Sequence, residues 1–238
     1  MLTNHRRALW YALGLLAACV LSLVAVGRHA PGTSATVTTF PFVGRFDASM
    51  YRWMDDLRVG PLTLLFRFLN AAGGGIVTIP LRAVVSAYLV FRRTWRKAAA
   101  FILTWIASEI ALTALKAYFH RPRPTHPLVL TTGFSFPSGH AVAGAAVAVG
   151  IVLAFFPAGE RRRWEWVAAG FAFVMAFSRV YLNAHWFSDV VAGVLLGSGI
   201  AIGSAVLVTE IRDIALRRQG VTVAEQIAED PEVAQPPV

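Results

Sequence analysis

Long apolar segments constrain this chain more than any other feature of its sequence. Six of them, at about residues 9–27, 75–91, 98–119, 138–156, 164–182 and 186–208, approach the roughly 20 residues that a membrane-spanning helix needs. Hydrophobic residues make up 56% of the chain and charged residues 15%, whereas soluble domains average about 45–50% and 25%. The sequence therefore predicts an all-α integral membrane protein with six transmembrane helices, and it excludes an ordinary soluble domain.

The first apolar segment can be interpreted in two ways. Arg6 and Arg7 precede residues 9–27 and Arg28 follows them, as at the ends of a retained membrane helix. A basic start, an apolar middle and small residues near Ala30 also fit a cleaved signal peptide. The segment is long for a signal peptide, so we favour the retained helix.

Residues 46–70 separate the first predicted crossing from the second, and they carry spaced apolar side chains such as Trp53 and Phe68. This pattern predicts a helix that lies in the outer membrane interface. The expected organisation is a cytoplasmic N-terminus at 1–8, a single six-helix membrane domain at 9–218 and an acidic cytoplasmic tail at 219–238. The tail has little apolar content, so we expect it to be disordered.

The distribution of basic residues predicts the orientation of the chain. Twelve of the 22 Lys and Arg residues fall in segments that six crossings place on one side, namely 6–7, 92–97, 161–163 and 212–218. Short cytoplasmic loops carry the excess of positive charge, so both termini are expected in the cytoplasm. The net charge of +9 has this topological explanation, and the separate basic clusters do not form the basic face of a nucleic-acid-binding protein.

One positive charge falls inside a predicted crossing. Arg82 lies within the second segment, where a charge is costly and usually faces a partner. Glu109, in the third segment, is the partner that we predict. The alternative is that the Arg82 side chain extends to water at the membrane surface.

Three polar clusters interrupt the apolar chain between residues 116 and 189, and six crossings place all of them at the outer face. In the first cluster, Lys116 ends the third crossing, and Arg121 and Arg123 follow it. Arginine can pair with two phosphate oxygens at once, and lysine supplies a point charge. The cluster is alternatively a basic patch that anchors a helix end to lipid headgroups. Both arginines lie on the side that should be poor in positive charge, which suggests a chemical role.

The second cluster, Pro137-Ser138-Gly139-His140, begins the fourth crossing. The free N–H groups and the dipole of a helix N-terminus suit an anion, and Gly139 leaves room for it. A Ser-Gly pair alone is better explained as a helix cap. His140 favours the functional interpretation, because a histidine at this place can protonate a leaving oxygen.

The third cluster contains Ser178, Arg179, His185 and Asp189. If the turn at 185–189 is helical, the carboxylate can hold one imidazole nitrogen while the other attacks phosphorus. A His-Asp pair at this spacing is also found as a structural hydrogen bond or as half of a metal site. Three cations, and the lack of a further carboxylate in the clusters, argue against a metal ion. We therefore predict neither a metal nor another cofactor.

Together the three clusters resemble the motifs of the type 2 phosphatidic acid phosphatase family. Residues 116–189 contain Lys, six residues and Arg-Pro, then Pro-Ser-Gly-His, then Ser-Arg, five residues, His, three residues and Asp. They match that family at every motif position. The same pocket is found in vanadium haloperoxidases and in glucose-6-phosphatase, but a soluble haloperoxidase is disfavoured by the six apolar segments.

The resemblance implies a role for each motif residue. His185 looks like the nucleophile that forms a phosphohistidine, Asp189 like the group that orients it, and His140 like the acid that protonates the leaving group. The phosphate-binding residues that the resemblance implies are Lys116, Arg123, Ser138, Gly139 and Arg179. Two other histidines, His120 and His126, match no motif position and are expected to be solvated loop residues.

The expected function is a metal-independent phosphatase of lipid phosphates or diphosphates at the extracytoplasmic face of the cell (inner) membrane. A polyprenyl diphosphate carrier is favoured by family analogy and topology, and phosphatidic acid or phosphatidylglycerol phosphate is the alternative. A non-catalytic lipid-phosphate binder or transporter is the alternative of another class, although binding alone needs cations and no nucleophile. The requirement for a neutral His185 and a protonated His140 predicts a bell-shaped pH profile.

Overall fold

The computed structural model describes residues 5–30, 34 and 37–218. These residues form no strand, which confirms the all-α class. Their helices are α1 (His5–Val26), α2 (Pro41–Asp56), α3 (Gly60–Ala72), α4 (Gly75–Phe91), α5 (Trp95–Phe119), α6 (Gly139–Phe155), α7 (Ala158–Tyr181) and α8 (Phe187–Arg218). Residues 1–4 of the predicted N-terminal segment and the whole predicted tail, 219–238, lie outside the described residues.

The long helix α8 is the centre of the bundle and packs against α1, α5, α6 and α7. Its approach to α6 is close because the contact contains glycines. A Cβ atom at Gly193 would lie 2.8 Å from the Ser138 carbonyl oxygen, and one at Gly197 would overlap the Val142 carbonyl oxygen. Small residues allow membrane helices to approach in this way. The contact brings the first turn of α8 beside the N-terminus of α6, so that the second and third polar clusters meet.

Two helices, α2 and α3, cover the stretch 46–70 that was expected to form one interfacial helix. The chain is extended at Val59, with φ −130° and ψ 143°, and Pro61 lies in the first turn of α3. Proline suits this place because its fixed φ is helical and its missing N–H is not needed there. The single helix is thus corrected to two, and their position in the membrane interface stays a prediction. α2 packs against α7 and α8, and α3 packs against α7.

The number of membrane crossings also stays a prediction. In the described part of the chain, three helical segments are long and apolar enough to cross a membrane, namely Arg6–Val26, Trp95–Phe119 and Phe187–Leu216. Helices α3 and α4 would add a fourth if they form one span with a 50° bend. Each of the six predicted crossings coincides with a helix, but α7 begins at Ala158 and so contains the basic cluster 161–163 that was expected to precede it.

The predicted partner of Arg82 is confirmed. An Arg82 Nη1 atom lies 2.5 Å from Glu109 Oε1, which joins α4 to α5. The guanidinium also lies over the ring of Trp105, 5.8 Å from its centroid. Arg82 is buried, whereas half of the Glu109 side chain is exposed. The alternative in which Arg82 extends to water is therefore wrong.

Candidate active site

His185 lies in the turn between α7 and α8, and its side chain is buried. Its Nδ1 atom is 3.5 Å from Asp189 Oδ2, and its Nε2 atom is 3.1 Å from Arg123 Nη1. An arginine nitrogen can only donate, so we assign Nε2 as the acceptor and place the imidazole proton on Nδ1, facing the carboxylate. The two contacts hold a neutral imidazole in a fixed orientation.

The contact between His185 and Asp189 does not arise from a shared helix face. Helix α8 begins at Phe187, so His185 precedes it and the turn at 185–189 is not wholly helical. The Asp189 side chain instead folds back toward the N-terminus of α8, where its Oδ2 atom accepts a hydrogen bond from the Trp186 N–H at 2.9 Å. The predicted contact is present for a different reason, namely that Asp189 satisfies an N–H group ahead of its own helix.

Burial lowers the pKa of His185 to about 3, because a charged imidazole is disfavoured away from water. The hydrogen bond and the negative charge of Asp189 act in the opposite direction, and the positive charges of Arg123 and Arg179 lower the pKa further. The ring is therefore neutral at physiological pH. A neutral imidazole is the form that can attack phosphorus.

Arg123, which contacts the Nε2 atom of His185, shares a carbonyl partner with a second cation, Lys116. Lys116 Nζ and Arg123 Nη2 both donate to the Phe134 carbonyl oxygen, and Arg123 also donates to the carbonyl oxygens of Thr132 and Gly133 at 2.7 and 2.9 Å. Burial lowers the pKa of Arg123, while the charge of Asp189 opposes the shift. Carbonyl oxygens place the guanidinium without neutralising it, so its charge stays available to an anion.

Arg179 is the third cation of the site. Its Nε atom and the Oγ atom of Ser138 are buried and have no hydrogen-bond partner among the described residues. Helix α6 begins next to them at Gly139, and the first N–H groups of a helix have no partner within it. The Ser138 N–H is not free, since it donates to the Asp189 carbonyl oxygen at 3.0 Å. The excess of donors at this place suits an anion such as phosphate.

His140 contacts α3. Its Nε2 atom is 3.0 Å from the backbone carbonyl oxygen of Asn70, and an oxygen of that kind only accepts, so Nε2 carries a proton. The side-chain oxygen of the same Asn70 accepts a hydrogen bond from Arg179. Gly73 leaves the space that the imidazole fills, because a Cβ atom there would lie 2.8 Å from His140 Cδ2. The end of α3 thus holds His140 and the third cation together.

Arg121 is completely buried and does not belong to this group of cations. Its Nη1 atom is 2.7 Å from Asp189 Oδ1, and its Nη2 atom is 2.7 Å from Asp47 Oδ2. Ser188 completes the cluster by donating its N–H and its hydroxyl to Asp47. Burial alone would lower the pKa of Arg121, but the charges and hydrogen bonds of the two carboxylates raise it. With both terminal nitrogens on carboxylates, Arg121 holds other side chains in place.

Contacts at one end of the bundle connect seven of the predicted site residues, and Gly139 follows one of them, Ser138, in the chain. The seven are Lys116, Arg123, Ser138, His140, Arg179, His185 and Asp189. Asp47 and Asn70 are site residues that the motifs do not include. The only signal for them in the sequence is their place in the amphipathic stretch 46–70, where polar residues are expected to face water. The two unmatched histidines differ, since His120 packs edge-on against Phe134 and His126 is exposed.

A family model described as the PAP2 superfamily matches residues 97–213, which include every predicted site residue. That stretch, just under half of the 238 residues, carries the similarity to this superfamily. An undecaprenyl-diphosphatase from Sulfolobus acidocaldarius is 29% identical to this chain over 164 residues, which cover 66% of this chain and 75% of the relative. A phosphatidylglycerophosphatase B from Bacillus subtilis is 29% identical over 154 residues, which cover 61% and 70%.

A solved structure has the same fold. The crystal structure of a transmembrane PAP2-type phosphatidylglycerolphosphate phosphatase from Bacillus subtilis matches with a TM-score of 0.69 and 24% sequence identity. The match covers 86% of this chain and 96% of the other. The fold is therefore close to that of a PAP2 membrane phosphatase, and the relatives point to a phosphoric-ester hydrolase.

Proposed function

We propose that this protein is a phosphatase of the PAP2 type, which hydrolyses a lipid phosphate or diphosphate through a phosphohistidine intermediate on His185. The observation that carries the proposal is the row of contacts from Asp189 through His185 to Arg123. A carboxylate lies at one imidazole nitrogen and a cation at the other, so a phosphate group bound by that cation would lie next to the nucleophile. A bond forms between Nε2 and phosphorus while the bond from phosphorus to the leaving oxygen breaks.

The other site residues have complementary roles in the proposed reaction. His140 gives a proton to the leaving oxygen and later takes one from the water that hydrolyses the phosphorus–nitrogen bond. Asp189 stabilises the positive charge that develops on His185. Donors around the phosphate bind its oxygens most strongly in the transition state, and no metal ion is required. In the proposal these donors are Lys116, Arg123, Ser138, Gly139 and Arg179.

The preferred substrate in the proposal is a polyprenyl diphosphate. The undecaprenyl-diphosphatase among the relatives supports this choice. Further support comes from the loop that binds Arg123, where Leu130 and Phe134 expose apolar side chains at the place where a lipid chain would lie. The second candidate is phosphatidylglycerol phosphate or phosphatidic acid, and the Bacillus subtilis phosphatidylglycerophosphatase B supports the first of these.

The deciding measurement is phosphate release by the full chain in detergent, with EDTA present and no metal added. Wild type is expected to release phosphate and to form an acid-labile, alkali-stable phosphoprotein, and His185→Ala is expected to do neither. Equal release by the two proteins contradicts the nucleophile, and loss of wild-type release in EDTA contradicts metal independence. Lipid binding without any release would identify a non-catalytic binder.

A panel of substrates tests the choice of lipid in the same assay. The proposal expects the largest kcat/KM with a prenyl diphosphate, because a leaving phosphate needs less help from the acid than a leaving alcohol. Phosphatidylglycerol phosphate and phosphatidic acid are the two comparison substrates. A larger kcat/KM with either of them would replace the prenyl diphosphate in the proposal.

The proposal also includes the topology of the chain in the cell (inner) membrane. It has six crossings, α2 and α3 in the membrane interface, both termini in the cytoplasm and the site on the extracytoplasmic side. Its support is that the basic segments 92–97 and 161–163 lie at or near the starts of α5 and α7, whereas Lys116 and Arg179 lie near the ends of the same helices. Opposite ends of a crossing face opposite sides of the membrane, and basic loops face the cytoplasm.

Cysteine labelling in intact cells tests this orientation. The single cysteine, Cys19, is first replaced by Ser, and His126 or Arg162, both exposed, is then changed to Cys. An impermeant maleimide is expected to label the His126→Cys protein in intact cells and the Arg162→Cys protein only after the cells are broken. The reverse pattern would contradict the proposed orientation.

A further inference from the structure

We propose that Asp47 is a positioning residue for the reaction, which acts through Arg121 and Ser188 to hold Asp189 in place and to preserve its negative charge. The inference rests on the proposed function, because it concerns the chemistry of His185. Asp47 lies in α2, outside the residues 97–213 that match the family model.

Both oxygens of the Asp47 carboxylate accept hydrogen bonds from Arg121 or Ser188. The side chain is buried. Its Oδ1 atom accepts a hydrogen bond from the Ser188 N–H at 2.9 Å, and its Oδ2 atom accepts from the Ser188 hydroxyl at 2.6 Å and from Arg121 Nη2 at 2.7 Å. A buried carboxylate is costly unless it is paired, and an apolar side chain of similar size would avoid that cost. The charge at this place therefore calls for a role beyond packing.

The role follows from the number of charges. Arg121 carries one positive charge and contacts two carboxylates, Asp47 and Asp189. Without Asp47, the guanidinium would pair with Asp189 alone and would neutralise the group that supports His185. With Asp47 present, the three side chains carry one net negative charge in a place with little screening by water. That charge stabilises the positive charge that phosphorylation creates on His185.

Asp47 also acts on the geometry of Asp189. Ser188 precedes Asp189 in the first turn of α8, where backbone N–H groups have no partner within the helix. Asp47 binds the Ser188 N–H from a different helix, so α2 caps α8 at the residue next to Asp189. Arg121 fixes the other side of Asp189 through Oδ1, which leaves Oδ2 directed at His185. Loss of Asp47 would remove the cap on the Ser188 N–H and one of the two carboxylates that hold Arg121, so both contacts that position Asp189 would be weakened.

The test compares Asp47→Asn with Asp56→Asn in the full chain. The first change removes the buried charge and keeps the shape, and the second removes an exposed charge from the same helix. We expect Asp47→Asn to lower kcat by roughly 10- to 100-fold, which is the loss typical when a residue that orients a metal-ligating side chain is mutated. KM and competitive inhibition by vanadate are expected to change little, because the phosphate-binding cations are untouched. Asp56→Asn is expected to behave as wild type, and an unchanged kcat in Asp47→Asn overturns the inference.

A double-mutant cycle separates positioning from a general loss of structure. If Asp47 acts through Asp189, Asp47→Asn has little further effect on kcat in an Asp189→Asn background. A loss by the same factor in both backgrounds overturns the inference. If Asp47→Asn does not fold, Ser188→Ala tests the same contact between α2 and α8, since it removes the hydroxyl that bonds Asp47 and Arg121. A severalfold lower kcat with KM unchanged is then expected. An unchanged kcat overturns the inference.

The outcomes distinguish this inference from the function on which it rests. Absence of wild-type phosphate release, or full release by His185→Ala, contradicts the proposed function and this inference with it. Normal kcat in Asp47→Asn, when wild type is active and His185→Ala is not, overturns the inference alone.

Discussion

Arg121 and Arg123 belong to the same loop, yet their surroundings are opposite. Arg121 contacts two carboxylates, Asp47 and Asp189. Arg123 contacts carbonyl oxygens and the imidazole of His185. The pKa of Arg123 is lowered, chiefly by burial, whereas the pKa of Arg121 is raised because its two carboxylates outweigh burial. The comparison teaches that the partners of a buried cation decide its role. A guanidinium that is paired with carboxylates positions its neighbours, whereas one that contacts only neutral groups can bind an anion.

The same division extends to the whole site. Helices α2 and α8 contribute the carboxylates Asp47 and Asp189, which form the carboxylate side of the site. Helices α5 and α7 and the loop between α5 and α6 contribute the cations Lys116, Arg179 and Arg123, which form the cation side. His185 lies at the boundary and contacts both sides. A nucleophile that becomes positive while it attacks a negative phosphate needs this arrangement, because each side stabilises one of the two partners.

The largest effect is expected from breaking the carboxylate side. Arg121→Met leaves two buried carboxylates without their cation, and removing one partner of a buried ion pair costs about 3–5 kcal/mol. We therefore expect a large fall in folded yield and in the thermal unfolding temperature of the detergent-solubilised protein. Arg45→Met, which removes an exposed arginine from α2, is the matched control. Equal stability of the two variants would show that the carboxylates do not depend on Arg121.

On the cation side, the expected loss is of activity and not of stability. Arg123→Ala removes a donor to the phosphate, and we expect kcat/KM to fall roughly 100- to 1000-fold. The unfolding temperature should change little, because the carbonyl oxygens left behind carry no full charge. Arg123→Lys should recover only part of the rate, since lysine lacks the planar fork of arginine. A large loss of stability in Arg123→Ala would remove the distinction between the two arginines.

The pH profile reports on the residue at the boundary. The lowered pKa of His185, about 3, means that the free enzyme keeps a neutral nucleophile as the pH falls from 7 to about 5. The acid limb of kcat/KM is therefore expected below about pH 5. His140→Ala should lower kcat by roughly 100-fold, because the leaving oxygen loses its proposed proton donor. A fall in kcat/KM that begins above about pH 6 on acidification would contradict the neutral state assigned to His185.

A smaller effect is expected at the distant pair of Arg82 and Glu109, where one guanidinium faces one half-exposed carboxylate. We expect Arg82→Gln and Glu109→Gln each to cost about 1–2 kcal/mol, the range of polar contacts between membrane helices. The double variant should cost less than the sum of the two, and kcat/KM should be unchanged. Additive losses would show that the two side chains stabilise the protein independently.

Much of the fold can be predicted from the apolar segments. A backbone in a membrane must satisfy its own hydrogen bonds, so each long apolar run becomes a helix, as α1 and α4 to α8 do. The details that fail depend on neighbouring elements. Residues 161–163 are charged and were expected in a loop, but they lie in the first turns of α7, where Arg161 is buried. The amphipathic stretch 46–70 divides at Val59, before Pro61, and its two helices pack against the bundle.

The proximity of the motif residues could be predicted from the sequence, because residues 116–189 carry all of them at or beside the ends of consecutive apolar segments, which six crossings place on one side of the membrane. The balance of charge could not. It depends on Asp47, which lies 141 positions before Ser188 along the chain and contacts it in space. An aspartate in an amphipathic stretch is expected to face water. Only the packing of α2 against α8 buries it beside Arg121, and that contact gives Arg121 two carboxylate partners, whereas Arg123 contacts carbonyl oxygens and an imidazole.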